Sequence, residues 1–124
     1  MTYQIVDGYD NAGTLADVDP QPKSGGLMYP ERIAALDGTE FDDGLLYTDW
    51  VYTMLTVAQY DSLLTAFGLA SAITNEVTVK TITDDRTFAN YNGMVVKPRM
   101  GKDVKYNRGF YHDARFRIKH MEAL

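Results

Sequence analysis

Only one stretch of this 124-residue chain carries the spacing of an α-helix. From Thr56 to Gly68, the apolar residues Tyr60, Leu63, Leu64 and Phe67 recur at intervals of three and four, which places them on one helical face. Both ends carry stop signals. Thr56 with Gln59 three residues later fits a capping box, in which each side chain satisfies the other residue's free backbone N–H, and Gly68 can adopt the left-handed conformation that ends a helix. The spacing predicts a helix of about three turns.

The rest reads as strands and turns. Thr48 to Leu55 alternates, with Trp50, Tyr52 and Met54 on one side and Asp49, Val51, Thr53 and Leu55 on the other. Ile73 to Ile82 is dense in β-branched residues, Asp84-Asp85-Arg86 makes a polar turn, and Phe88 to Val96 continues as a second run, so the two form a hairpin. In the last strand Phe110, His112, Ala114, Phe116 and Ile118 alternate with Tyr111, Asp113, Arg115, Arg117 and Lys119, giving one apolar and one basic face. Ile33 to Leu36, followed by Asp37-Gly38-Thr39, is a short strand and turn. The chain is therefore expected to be mainly β (α+β), with about five or six antiparallel strands around one packed helix.

Asp7 to Tyr29 is punctuated by Asp, Gly, Pro and Ser and has no sustained apolar period. It predicts a division into residues 1–30, an N-terminal strand and extended arm ordered by contact with something else or not at all, and a domain over 31–124. The chain has no cysteine, which excludes a disulfide framework and thiolate ligands. Met1 to Val6 has no basic leader region, and no apolar run approaches the ~20 residues that cross a bilayer, so a soluble protein without membrane insertion is expected.

The charge is unevenly distributed. Residues 1–61 hold eleven acidic and two basic residues, net −9, while residues 62–124 hold six and ten, net +4, giving −5 for the chain. A net negative chain is a poor freestanding nucleic-acid binder, and the polarity suits either a solvated surface or a surface built to meet a partner.

Catalysis and metal binding find little support. His112 and His120 are eight residues apart, roughly 26 Å in an extended strand, too far to share a metal there. Asp17-Val18-Asp19 and Asp37-Gly38-Thr39-Glu40-Phe41-Asp42-Asp43 offer carboxylates but lack the calcium-loop pattern, and turns and solubility account for them. No nucleophile elbow surrounds Ser24, Ser62 or Ser71, and residues 22–26 lack the phosphate-loop spacing. The expectation is no enzyme, no cofactor and no metal. A basic segment remains: Lys97, Arg99, Lys102, Lys105 and Arg108, then Arg115, Arg117 and Lys119 on the final strand, interleaved with Tyr106, Phe110 and Tyr111. It is compatible with single-stranded nucleic acid, a blunted sheet edge or an acidic neighbour.

The order from Trp50-Val51-Tyr52 through Leu55-Thr56-Val57-Ala58-Gln59-Tyr60-Asp61-Ser62-Leu63-Leu64, a hairpin and a final strand ending Phe116-Arg117-Ile118-Lys119-His120-Met121 resembles the small minor tail proteins and distal tail proteins of long-tailed bacteriophages. The resemblance covers residues 31–124. It implies a β-sandwich or barrel with a packed helix, assembled as a ring, commonly of six copies, between the tail tube and the tip or baseplate. On that view the chain is a virion structural subunit assembled in the bacterial cytoplasm. Its partners would be itself, the tail tube and the tip or hub proteins, with DNA only as passing cargo. The expected interface sets Asp37, Glu40, Asp42 and Asp43 of one copy against Arg115, Arg117 and Lys119 of the next. A tail-tube or tail-completion subunit, and a monomeric module for nucleic acid or an acidic partner, are the alternatives.

Overall fold

A computed structural model describes residues 2–9, 12–23, 25–28, 32–34, 36, 38, 40–42, 46–83 and 85–123. In chain order the strands are β1 (Gln4–Asp7), β2 (Ala16–Asp17), β3 (Leu27–Met28), β4 (Arg32–Ala34), β5 (Glu40–Asp42) and β6 (Leu46–Thr56); then come helix α1 (Val57–Phe67), β7 (Thr74–Ile82), β8 (Phe88–Val96), β9 (Lys105–Asn107) and β10 (Phe110–Ala123). Among the described residues the chain is mainly β with one α-helix. Its main sheet is open and antiparallel, in the order β2-β1-β7-β8-β10-β6-β3, with β9 added to β10 as its eighth strand; β4 and β5 pair separately. The excess over five or six strands consists of two- and three-residue segments, too short to show an alternation.

Helix α1 forms where its caps predict. The Gln59 N–H donates to Thr56 Oγ1 at 3.2 Å, and the Thr56 N–H donates to Gln59 Oε1 at 3.0 Å. At the other end Gly68 is left-handed, and the N–H groups of Gly68 and Leu69 donate to the carbonyls of Thr65 and Leu64, closing the last turn. A Cβ at Gly68 would run into the Asn75 side-chain amide, which itself donates to the Phe67 carbonyl at 2.9 Å. Tyr60, Leu63, Leu64 and Phe67 are the buried face, as their spacing requires.

Strands β6 and β10 form the floor beneath the helix. Their register is constant from Phe110 opposite Thr56 to Ile118 opposite Thr48. Trp50 and Tyr52 on β6, with Ala114, Phe116 and Ile118 on β10, point into the core. The alternation then reverses at the same level in both strands. Asp113 has φ +53°, and beyond it Leu55 is buried and Met54 exposed, the opposite of the simple alternation that grouped Met54 with Trp50. Tyr111, directly opposite Leu55, turns inward with it and stacks on Tyr60 at 4.0 Å between ring centroids. A second irregularity lies at His120, φ +54°, where the pairing of β10 shifts by one residue against both neighbours. The extra residue moves the buried position from Ile118 to Met121.

The open sheet is strongly curled. Strands β7 and β6 are separated by β8 and β10, ~14 Å apart if flat, yet Trp50 Nε1 donates to Thr81 Oγ1 at 3.2 Å. The N-terminal segment occupies the concavity between them. The Gly25 carbonyl accepts from both Thr48 Oγ1 and Thr81 Oγ1 at 2.8 Å, and a Cβ at Gly25 would come within 2.8 Å of the Trp50 ring. Tyr3 meets Trp50 and Phe88 edge-on, the Tyr52 hydroxyl donates to the Pro20 carbonyl at 2.8 Å, and the Lys23 N–H donates to Val51. Thus β1 is an internal strand, and the described part of residues 12–28, expected to await another molecule, finds its partners within the chain. These are isolated contacts of single residues, which leave no period in the sequence.

Candidate functional site

The outer face of β10 presents Arg115, Arg117 and Lys119 between the buried Ala114, Phe116 and Ile118. Opposite them stands the connection from β8 to β9. It is a compact turn, not a loose loop: the Asp103 and Lys102 N–H groups donate to the Arg99 carbonyl, and the Arg99 N–H donates to the Asp103 carboxylate at 3.0 Å. Val104 is buried beneath it, and the Arg115 N–H donates to the Asp103 carbonyl at 3.0 Å, pinning the turn to β10.

Between turn and strand lies a groove of about 320 Å³, lined by Val96, Lys97, Lys102 and Asp103 on one side and by Arg115, Arg117 and Lys119 on the other, so that one carboxylate stands among five cations. It runs into a second hollow of about 380 Å³ beside Ile73, Pro98 and Arg99, which shares Lys97 and Lys102 with the first. Six cations therefore border one continuous depression.

One of the six is neutralised internally. Asp49 lies directly opposite Arg117 in the β6–β10 register and is only 8% exposed. Arg117 Nε donates to Asp49 Oδ1 at 2.8 Å and its terminal nitrogen to Oδ2 at 3.0 Å, a bidentate pair. The guanidinium also lies over the Tyr47 ring at 4.8 Å. Hydrogen bonding to Asp49 raises the already high Arg117 pKa further, so this cation is permanent. Arg115 reaches the same carboxylate only at 3.8 Å, with half its side chain exposed. Asp103 is occupied with the Arg99 backbone. Among the described residues no carboxylate is paired with Lys97, Lys102 or Lys119.

The structure thus brings Arg115, Arg117 and Lys119 together, as their alternation predicts, and adds Lys97 and Lys102 from the facing turn. Asp37 and Asp43 lie outside the described residues, and Glu40 and Asp42 occupy alternate backbone positions of β5. Sequence reading missed Asp49 as the partner of Arg117. Its parity opposite Trp50 placed it on the outer side of β6, but only the register selects which β10 residue it faces.

Of the aromatic residues interleaved with the basic segment, Tyr106 and Phe110 are exposed but do not line the groove. Tyr111 stacks on Tyr60, and Tyr106 lies beside Tyr111 at 4.9 Å. Among the described residues lining the groove none is aromatic, and the Tyr47 ring beside Arg117 has that guanidinium over its face. The arrangement is suited to holding oxyanions. Among the described residues no group of three or more His, Asp or Glu side chains is placed to share a metal, and no helix is long and apolar enough to cross a membrane.

No protein-family model, no curated protein and no solved structure matches this chain.

Proposed function

We propose that this chain is a non-catalytic structural subunit of a bacteriophage tail. In this reading it is a ring-forming distal tail or tail-tip adaptor between the tail tube and the baseplate or tip. The observation that carries it is the basic outer face of β10: a strand whose inner side is locked into the core holds three cations, for which the described part of its own chain supplies one paired carboxylate, Asp49, while the chain as a whole is net acidic. Such a surface invites a different, acidic patch on a neighbouring copy, which is the heterologous contact that closes a ring. The resemblance of residues 31–124 to small tail proteins gives the contact its context, with the tube and hub as further partners and DNA as cargo.

Imaging and mass measurement of the purified chain, alone and in particles, test the proposal. Closed rings that dissociate as salt rises from 0.1 M toward 1 M, where the Debye length falls from ~10 to ~3 Å, are expected. A persistent monomer, absent from tail particles, overturns it. The same groove also favours a second reading, a monomeric module that binds an acidic partner; such a module would stay monomeric and bind that partner outside any virion.

A further inference from the structure

We infer that the groove between the β8–β9 turn and β10 is a docking site for an extended, carboxylate-bearing strand, and that its occupant is the Glu40–Asp42 segment of a second copy of this chain. The identity of the occupant rests on the assembly reading above; the chemistry of the groove does not.

Spacing is the first argument. Arg115, Arg117 and Lys119 recur every two residues on a strand, which sets their Cα atoms ~6.7 Å apart along one face. An extended peptide repeats its own same-face side chains at that interval. Carboxylates at positions i and i+2 can therefore meet successive cations, whereas consecutive ones would point to opposite sides. Glu40 and Asp42 occupy such positions in β5, which the backbone already holds in strand conformation.

Enclosure is the second. Lys97 and Lys102 face β10 across the groove from a turn held by its own hydrogen bonds, so an entering carboxylate is approached from two walls. The Asp49–Arg117 pair keeps the middle cation fixed, which lowers the ordering cost of binding. Asp49 is thus a positioning residue: it engages Nε and one terminal nitrogen of Arg117 and leaves the half-exposed guanidinium to bind in line with Arg115 and Lys119, opposite Lys97 and Lys102.

Partner choice is the third. A polyanion of nucleotides would gain most from stacking surfaces, which the groove lining lacks. The acidic half of a second copy, net −9 over residues 1–61, matches the sign required.

Three peptides with the sequence of residues 37–43 test the site by fluorescence anisotropy against the full chain at low salt: the natural peptide, one with amides at positions 40 and 42, and one with amides at 37 and 43. The last two carry the same charge. The natural peptide should bind, the 40/42 amide peptide should bind roughly tenfold more weakly, and the 37/43 amide peptide should lose distinctly less. Equal losses overturn the spacing argument, and tighter binding of a single-stranded oligonucleotide of equal charge overturns the partner assignment.

On the protein side, Lys97→Glu with Lys102→Glu should lower affinity for the natural peptide at least ~10-fold, whereas Lys23→Glu with Arg86→Glu, an equal charge change outside the groove, should not. If the first pair disturbs folding, Lys97→Gln with Lys102→Gln should still give a several-fold loss; unchanged binding in that folded variant removes the turn from the site. Peptide binding by a chain that never forms rings would leave the groove chemistry standing and defeat the tail reading. Rings that persist in the Gln pair, with peptide binding unchanged, would do the reverse.

Discussion

The two faces of β10 are built from one alternating sequence and solve opposite problems. On the inner face Ala114, Phe116 and Ile118 are fully buried, and everything they need is supplied by the same chain: Phe67 lies on Phe116 at 4.8 Å, and Tyr52 meets it edge-on at 5.9 Å. On the outer face, Asp49 matches Arg117 and approaches Arg115, but the described residues leave Lys119 and the facing Lys97 and Lys102 without a carboxylate. Apolar burial is non-directional and can be completed by whatever packs above it. Charge matching requires a particular group at a particular place, and a chain can leave that requirement to a second molecule. The inner face should therefore govern stability and the outer face association.

The largest effects should come from the inner face. Phe116→Ala removes a fully buried ring from between the helix and β6 and should cost about 3–5 kcal/mol in chemical denaturation. Leu64→Ala, on the helix side of the same layer, should cost about 2–5 kcal/mol. A loss below ~1 kcal/mol at both sites would mean that the helix does not pack on this sheet, and the contrast between the faces would collapse.

Buried tyrosines extend the inner face to a pH test. Burial, with smaller contributions from Tyr111 and Asp61, pushes the Tyr60 pKa from 10.0 up to about 12. Burial and then Asp19 raise that of Tyr52, whose hydroxyl donates to Pro20. Above pH ~10 the unfolded chain sheds phenolic protons that the folded chain retains, so the folded state binds more protons and stability falls as pH rises. Stability should be flat just below that point and decline toward pH 12. Tyr60→Phe should soften the decline; a variant that loses stability over this window as steeply as the parent would remove Tyr60 from the buried layer.

Asp49 sits between the two regimes. Its carboxylate is buried while the Arg117 side chain is half exposed, so solvent screens the pair and moderates its worth. Asp49→Asn should destabilise by about 1–3 kcal/mol, the range for leaving a buried polar group without its partner, and should also loosen salt-dependent association. An effect on association with none on stability would place Asp49 wholly on the outer face.

Legibility in the sequence followed the same division. The helix, its caps and its buried face could be read because each depends on residues within one turn of each other. The β7–β8 hairpin and the two-faced character of β10 were legible from short-range alternation. The reversal at Asp113 and the extra residue at His120 were not, because a left-handed aspartate or histidine carries no compositional mark. Nor was the tight β9–β10 turn, where Arg108 and Gly109 both have positive φ and only the glycine hints at it. The groove needed two long-range facts, the register that sets Asp49 opposite Arg117 and the bond from Arg115 to Asp103 that lays the turn against β10. Its cations could be named from the sequence, but their convergence could not.

Smaller effects probe the helix itself. Thr56→Ala removes the side chain that accepts from Gln59 and should cost ~1 kcal/mol. That is less than any core truncation, because the freed N–H lies where water can reach it.

The smallest effect is expected at Thr65, on the exposed side of α1. Its hydroxyl donates back to the Asp61 carbonyl at 3.0 Å, a carbonyl already within the helical ladder, so the bond adds little. Threonine also loses side-chain freedom in a helix, and alanine is the better helix former by about 0.5 kcal/mol. Thr65→Ala should therefore shift stability by ~0.5 kcal/mol or less, in the stabilising direction, while Leu64→Ala one residue earlier costs several times that. Paired urea titrations of the two variants measure the contrast directly. Should Thr65→Ala destabilise by more than ~1 kcal/mol, the outer side of the helix would be a packed surface too, and α1 would have to be counted among the faces that meet a partner.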